Sequence, residues 1–270
     1  MIRYNNRLVW GVIMVVAGVL FLLNNLGILR FNVWGAIGPV FLILFGIWIV
    51  YGATRGRQTV EVETTSVSLD GARNVALTLH HGAGRLTIKA DPTAIGTISG
   101  TFGGGLAVAK TIAGVDAKVE LHSRMGSQSF WSFPWSFNGR NGLDWDVALS
   151  RDCTYALRLE TGADDATVDL RDLKVTDLHL STGASSMAVT LPEAAGYTRV
   201  KLEAGAASVT IKAPGGVAAQ IRSQSGVSSI NIDETRFPKT SGVYRSPDYD
   251  TAVNKVDIDI QMGAGSVRVN

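Results

Sequence analysis

One cysteine, Cys153, in a chain of 270 residues leaves nothing for it to pair with, so no internal disulfide framework organises the fold. It reads as an ordinary packed thiol. Histidine is scarce too. His80 and His81 adjoin on a strand-like stretch and so face opposite ways, while His122 and His179 lie far off, and no spacing matches a zinc site. The Gly103–Gly105 run lacks the Lys-Ser/Thr that would make it a phosphate cradle. None of the serines sits in a nucleophile elbow. The sequence therefore predicts no catalytic, cofactor-binding or metal-binding residues, and a protein that is not an enzyme.

Acid is missing from residues 1–57, which carry five arginines. The remaining residues hold 20 basic and 23 acidic groups, so the formal net charge of +2 hides a tail of about −3. Without a basic surplus that part cannot neutralise phosphates, which excludes nucleic acid as a partner.

Two uncharged runs fill the acid-free region. Leu8–Leu23 is extended past Asn24-Asn25 by Leu26–Leu29, and Val33–Gly52 is twenty residues long. A helix crossing a bilayer needs about 20 apolar residues, so both qualify as spans, over about 8–29 and 33–52. A cleaved signal peptide is excluded by the missing small-residue cleavage site and the immediate second run. Residues 1–55 thus read as a transmembrane hairpin in a lipid bilayer. Arg3 and Arg7 precede it, Arg55 and Arg57 follow it, and only Arg30 lies in its loop. The positive-inside rule then places both termini, and everything after the hairpin, in the cytoplasm.

What is abundant is a repeat. LRLETGADDATVDL, LHLSTGASSMAVTL, VKLEAGAASVTIKA and IRSQSGVSSINIDE each alternate apolar residues, pass a Gly and a small residue, and alternate again. The pivots Gly162, Gly183, Gly205 and Gly226 are 21, 22 and 21 residues apart. Two more copies centre on Gly82 and Gly263. A fixed period near 21 is the mark of a solenoid, and strict alternation means each strand buries one face. The expectation is an all-β solenoid over 60–270, with rungs of about 21 residues made of strand, turn and strand. Each pivot is expected to need positive φ, and the Gly263 rung to stand last. A rung left open at Asn270 would offer a strand edge, which makes self-association and a self-assembling structural role a second reading. In the corner ladder Asp164-Asp165 pairs two carboxylates, but no second carboxylate rung lies beside them, and Asp is a common turn former.

One stretch breaks the pattern. Between Ser123 and Asp146, Phe130, Trp131, Phe133, Trp135 and Phe137 fall within eight residues. No Lys or Arg interleaves them, which argues against stacking on bases. They read as cover for an unpaired edge, as a membrane-touching tip, or as contact with a partner.

RLVWGVIMVVAGVLFLLNNLGIL followed by VWGAIGPVFLILFGIWIVYG resembles the membrane module of LiaI/LiaF-like bacterial cell-envelope stress proteins. Residues 157–233 with YRSPDYDTAVNKVDIDIQMGAGSVRV resemble the C-terminal β-solenoid of LiaF-like and adhesin-type proteins, often called the toastrack domain. The repeated Gly-Ala corners, Leu191-Pro192 and Tyr249-Asp250 carry that likeness. It implies a regulatory scaffold of the bacterial inner membrane that contacts a signalling protein such as a histidine kinase. The family has no catalytic residues to carry over. An outward-facing adhesin or ligand binder would need the opposite topology.

Overall fold

The computed structural model describes Phe45 and Gly46, which are helical, and residues 62–124 and 143–270. Apart from these two residues of the second span, the hairpin and the aromatic residues 130–137 lie outside the described residues. Among those described, no helix is long and apolar enough to cross a membrane.

The solenoid begins with β1 (Val62–Ser68), β2 (Asn74–Asp91) and β3 (Thr97–Gly103), then a hairpin of β4 (Leu106–Ala113) and β5 (Asp116–Ser123). There follow β6 (Trp145–Ser150), β7 (Thr154–Asp169), β8 (Lys174–Thr182), β9 (Ser186–Thr190) and β10 (Tyr197–Lys212). The chain closes with β11 (Ala218–Ile232), a short pair β12 (Lys239–Thr240) and β13 (Val243–Arg245), and β14 (Lys255–Val269).

Six rungs stack in parallel, in the order β2, β7, β8 with β9, β10, β14 and β11. One register runs through all of them before the corner, from Leu77 through Leu157, Leu178, Val200 and Ile258 to Ile221. Another runs beyond it, from Ile88 through Val168, Val189, Ile211 and Val269 to Ile232. Alternation sends these side chains to one face of each strand, and there they form a single aliphatic core. Of the inward positions read from the repeat, only Ser223 and Ile230 fall short of full burial, and both lie on the end rung β11.

The rung order corrects the sequence reading. β14 does not stand last; it fills the slot between β10 and β11. The signal is the spacing, because Gly263 follows Gly226 by 37 residues rather than 21. The extra length builds β12 and β13, which fold back so that β13 pairs antiparallel with β11. At the opposite end β5 pairs with the first half of β2 and β6 with the second, and antiparallel β4 and β3 lie beyond them. Antiparallel strands thus flank the parallel stack, with β13 meeting β11 only at Gln220 and Ile221, and the rung that ends at Asn270 is an interior one rather than the last.

The corners also differ from expectation. β2, β7, β10, β11 and β14 each run unbroken through their pivot, so the corner is a bend in one strand rather than a turn between two. None of the six pivots has positive φ. Five of them need glycine because of close approach, whereas Gly82 has nothing within 4 Å. A Cβ on Gly162 would lie 2.4 Å from the Gly82 carbonyl oxygen, and one on Gly183, Gly205 or Gly263 would lie 2.9 Å from the oxygen of the preceding pivot. The backbones nest at a distance no side chain permits.

Cys153 is buried, its Sγ 3.4 Å from the Ala72 carbonyl, and burial pushes the thiol up from its ordinary pKa.

Candidate functional site

Inside the corner of the first rungs the aliphatic core gives way to polar groups. His81, Thr161, Asp164, Thr182 and Ser185 are all buried. His81 Nδ1 lies 3.2 Å from Asp164 Oδ2, and His81 Nε2 lies 3.0 Å from the Leu143 carbonyl oxygen. A carbonyl only accepts, so Nε2 carries a hydrogen. A second hydrogen must then lie between Nδ1 and the carboxyl, since two lone pairs would otherwise face each other. Thr161 donates to Thr182 nearby.

This pair fixes the chain where it returns from the aromatic stretch. Leu143 passes directly over Gly84, whose φ is +117° and whose Cβ would meet the Leu143 carbonyl at 2.9 Å. The Asp144 carboxylate accepts from the Arg85 amide, and the Trp145 indole donates 3.0 Å to the Gly103 carbonyl. Trp145 is buried with its ring edge-on to Phe102. On the departing side, Arg124 pairs with Glu63 at 3.2 Å and donates to the Leu106 carbonyl. Both ends of the stretch are therefore held by specific contacts.

The alternation that makes the core legible also places His81 with Leu77 and Leu79, and Asp164 with Ala166 and Val168, on the inward face. That signal was present in the sequence. The adjacency of Asp164 and Asp165 obscured it, because neighbours on a strand face opposite ways. Asp165 lies outward in a ladder that runs from Arg85 through Asp165 to Ser186, Ser208, Ser266 and Ser229.

The outer face before the corner carries the remaining histidines. Parallel pairing sets His122 of β5 directly beside His80 of β2, and Glu160 of β7 on the other side. The His80 and His122 rings stack at 4.5 Å, and His80 Nδ1 is 2.9 Å from Glu160. His122 Nε2 is 3.7 Å from Glu120. His179 stands apart, between Arg158 at 3.0 Å and Glu203 at 3.2 Å. Lys118 beside Glu120, Arg158 beside Glu160 and Lys201 beside Glu203 hold these carboxyls below the usual range. Sequence distance hid this arrangement. His80 and His122 are 42 residues apart and meet only because β5 joins β2.

Shallow grooves of about 390 and 470 Å³ mark the surface of the described residues. Thr182, Glu203, Ala204 and Met262 line the first, and Thr64, Lys89, Thr101 and Asp146 the second. Among the described residues no three His, Cys, Asp or Glu side chains converge on a point.

A comparison with family models matches residues 56–212, more than half of the chain, to the N-terminal domain of toast_rack, and residues 8–50 to the LiaI-LiaF-like transmembrane region. Among solved structures, a proposed cell adhesion protein from Clostridium sporogenes aligns with a TM-score of 0.69 at 20% identity, over 78% of this chain and 98% of that one. A proposed adhesin from Bacteroides fragilis covers 78% of this chain and 97% of its own at 7% identity, with a TM-score of 0.26 that carries no argument. A search of curated proteins finds no match. Six stacked rungs, the shared fold and these matches lead to one conclusion: the chain is a membrane protein with a LiaI-LiaF-like transmembrane region, and it belongs to the toast_rack family.

Proposed function

We propose that this protein is a non-enzymatic, membrane-anchored regulatory scaffold of the bacterial cell-envelope stress response. In this reading the solenoid is a rigid cytoplasmic frame. The stretch 123–146, with Phe130, Trp131, Phe133, Trp135 and Phe137, contacts a membrane signalling protein such as a histidine kinase. The observation that carries it is the union, on one chain, of a LiaI-LiaF-like membrane region and a toast_rack domain. The fold supports it physically: an aliphatic interior gives a stiff support, and both roots of the aromatic stretch are fixed to that support.

Cross-linking in intact membranes followed by affinity capture tests the contact. The wild-type chain is expected to capture a membrane signalling protein that a Trp131→Ala/Trp135→Ala variant loses, with the melting temperature unchanged. Loss of stability in that variant would instead make the aromatic residues packing groups. Unchanged capture would remove them from the interface.

A second reading, an outward-facing adhesin, draws on the Clostridium protein's description as a cell adhesion protein. It requires the opposite membrane orientation.

A further inference from the structure

We propose that His80 and His122 form a two-nitrogen site for a first-row divalent cation of the copper, nickel or zinc type, seated on the outer face where β5 joins the first rung.

His80 and His122 are direct partners across the parallel β2–β5 pair, so their side chains leave the same face on adjacent strands. The rings are nearly parallel, 14° between planes and 4.5 Å between centres. Each ring has a carboxylate of its own on one side. His80 Nδ1 points at Glu160 at 2.9 Å, and His122 Nε2 lies 3.7 Å from Glu120. A carboxylate accepts hydrogen bonds and gives none, so His80 Nδ1 carries the hydrogen, whereas His122 Nε2 at 3.7 Å is beyond hydrogen-bond reach of Glu120. His80 Nε2 is left with a lone pair, and His122 is free to turn either ring nitrogen toward an ion.

Metal-bound histidines show the arrangement of His80, in which the non-ligating nitrogen donates to a carboxylate that fixes tautomer and ring orientation. Metal–nitrogen distances near 2.0–2.1 Å put two ligating nitrogens about 3–4 Å apart. Rings stacked 4.5 Å apart with planes 14° from parallel aim their lone pairs side by side, so both rings must turn out of the stack to bring their nitrogens onto one ion. Both side chains are more than a third exposed, at 37% and 41%, so an ion can enter and the rings can turn.

The surroundings set the strength. Since no third His, Cys, Asp or Glu converges here among the described residues, water must fill the remaining positions. Lys118 and Arg158, the nearby cations, are already occupied by Glu120 and Glu160. Copper is expected to bind more tightly than nickel or zinc, as the Irving–Williams order requires. His179 is turned to Arg158 and Glu203 and takes no part. An ion at this point would fasten β5, which ends at Ser123 just before the aromatic stretch, to the rung whose next residue, His81, holds the returning chain.

The test uses the full chain in detergent, without a polyhistidine tag, stripped by chelator and titrated calorimetrically with CuCl2, NiCl2 and ZnCl2. One ion per chain is expected. His80→Ala and His122→Ala should each weaken binding about tenfold or more, Glu160→Gln should weaken it about tenfold, and His179→Ala should leave it unchanged. Copper bound to the wild-type chain should show two imidazole nitrogens in its electron paramagnetic resonance spectrum. Folding of every variant is checked by circular dichroism, and both histidines are surface residues whose loss the core tolerates. No saturable binding to the folded wild-type chain would overturn the site, as would binding that both histidine variants retain.

Discussion

Gly162→Ala is expected to cost about 3 kcal/mol or more, the upper range for forcing atoms into a packed space. The added carbon would lie 2.4 Å from the Gly82 carbonyl oxygen, and both groups are backbone, so neither can rotate away. Two rungs would have to separate, which weakens the hydrogen bonds on either side of the corner. Chemical denaturation of the six single Gly→Ala variants should give a graded series. Gly162 comes first, Gly183, Gly205 and Gly263 follow with contacts at 2.9 Å, then Gly226 at 3.0 Å. Gly82→Ala meets nothing within 4 Å and should change stability by no more than about 0.5 kcal/mol. Equal losses at all six positions would mean that the glycines serve backbone conformation instead of close approach.

Asp164→Ala is the second large effect expected. It strands His81 in a buried position with nothing opposite Nδ1, and a buried polar group left without its partner costs about 1–3 kcal/mol. The side chains of His81 and Asp164 are 2% and 0% exposed, so water cannot replace the missing group. Asp164→Asn should be far milder, because the amide can donate to Nδ1 while Nε2 keeps its bond to Leu143. A His81→Leu/Asp164→Leu double variant should lose less than the sum of the two single changes, since neither partner is left unpaired. Strict additivity would show that the two residues do not interact.

These effects bear on how the chain could be read. The inward residues were legible because alternation is a local property: Leu157, Leu159, Ala166 and Val168 announce one buried face without reference to any other strand. The partners of each strand were not. β14 enters between β10 and β11 because the segment after Ile232 first folds β13 against β11, and nothing within one repeat encodes that detour. The pivots were found but misjudged, since glycine serves both positive φ and close approach, and only the neighbouring carbonyl distinguishes the two. The His80–His122 stack depends on pairing across 42 residues through a Gly-rich region whose alternation is weak. The His81–Asp164 pair was readable by parity alone, yet Asp164 and Asp165 read together as turn formers, which hid the inward role of Asp164. Residues 130–137 lie outside the described residues, and the role assigned to them remains the proposal above.

The inference of a cytoplasmic regulatory scaffold over an external adhesin turns on which side of the membrane the solenoid occupies. A compartment-sensitive reporter fused after Asn270 measures this directly. Arg3, Arg7, Arg55 and Arg57 outside the spans, against Arg30 alone between them, predict a cytoplasmic signal. A signal from the far side of the membrane would contradict the account and favour the adhesin.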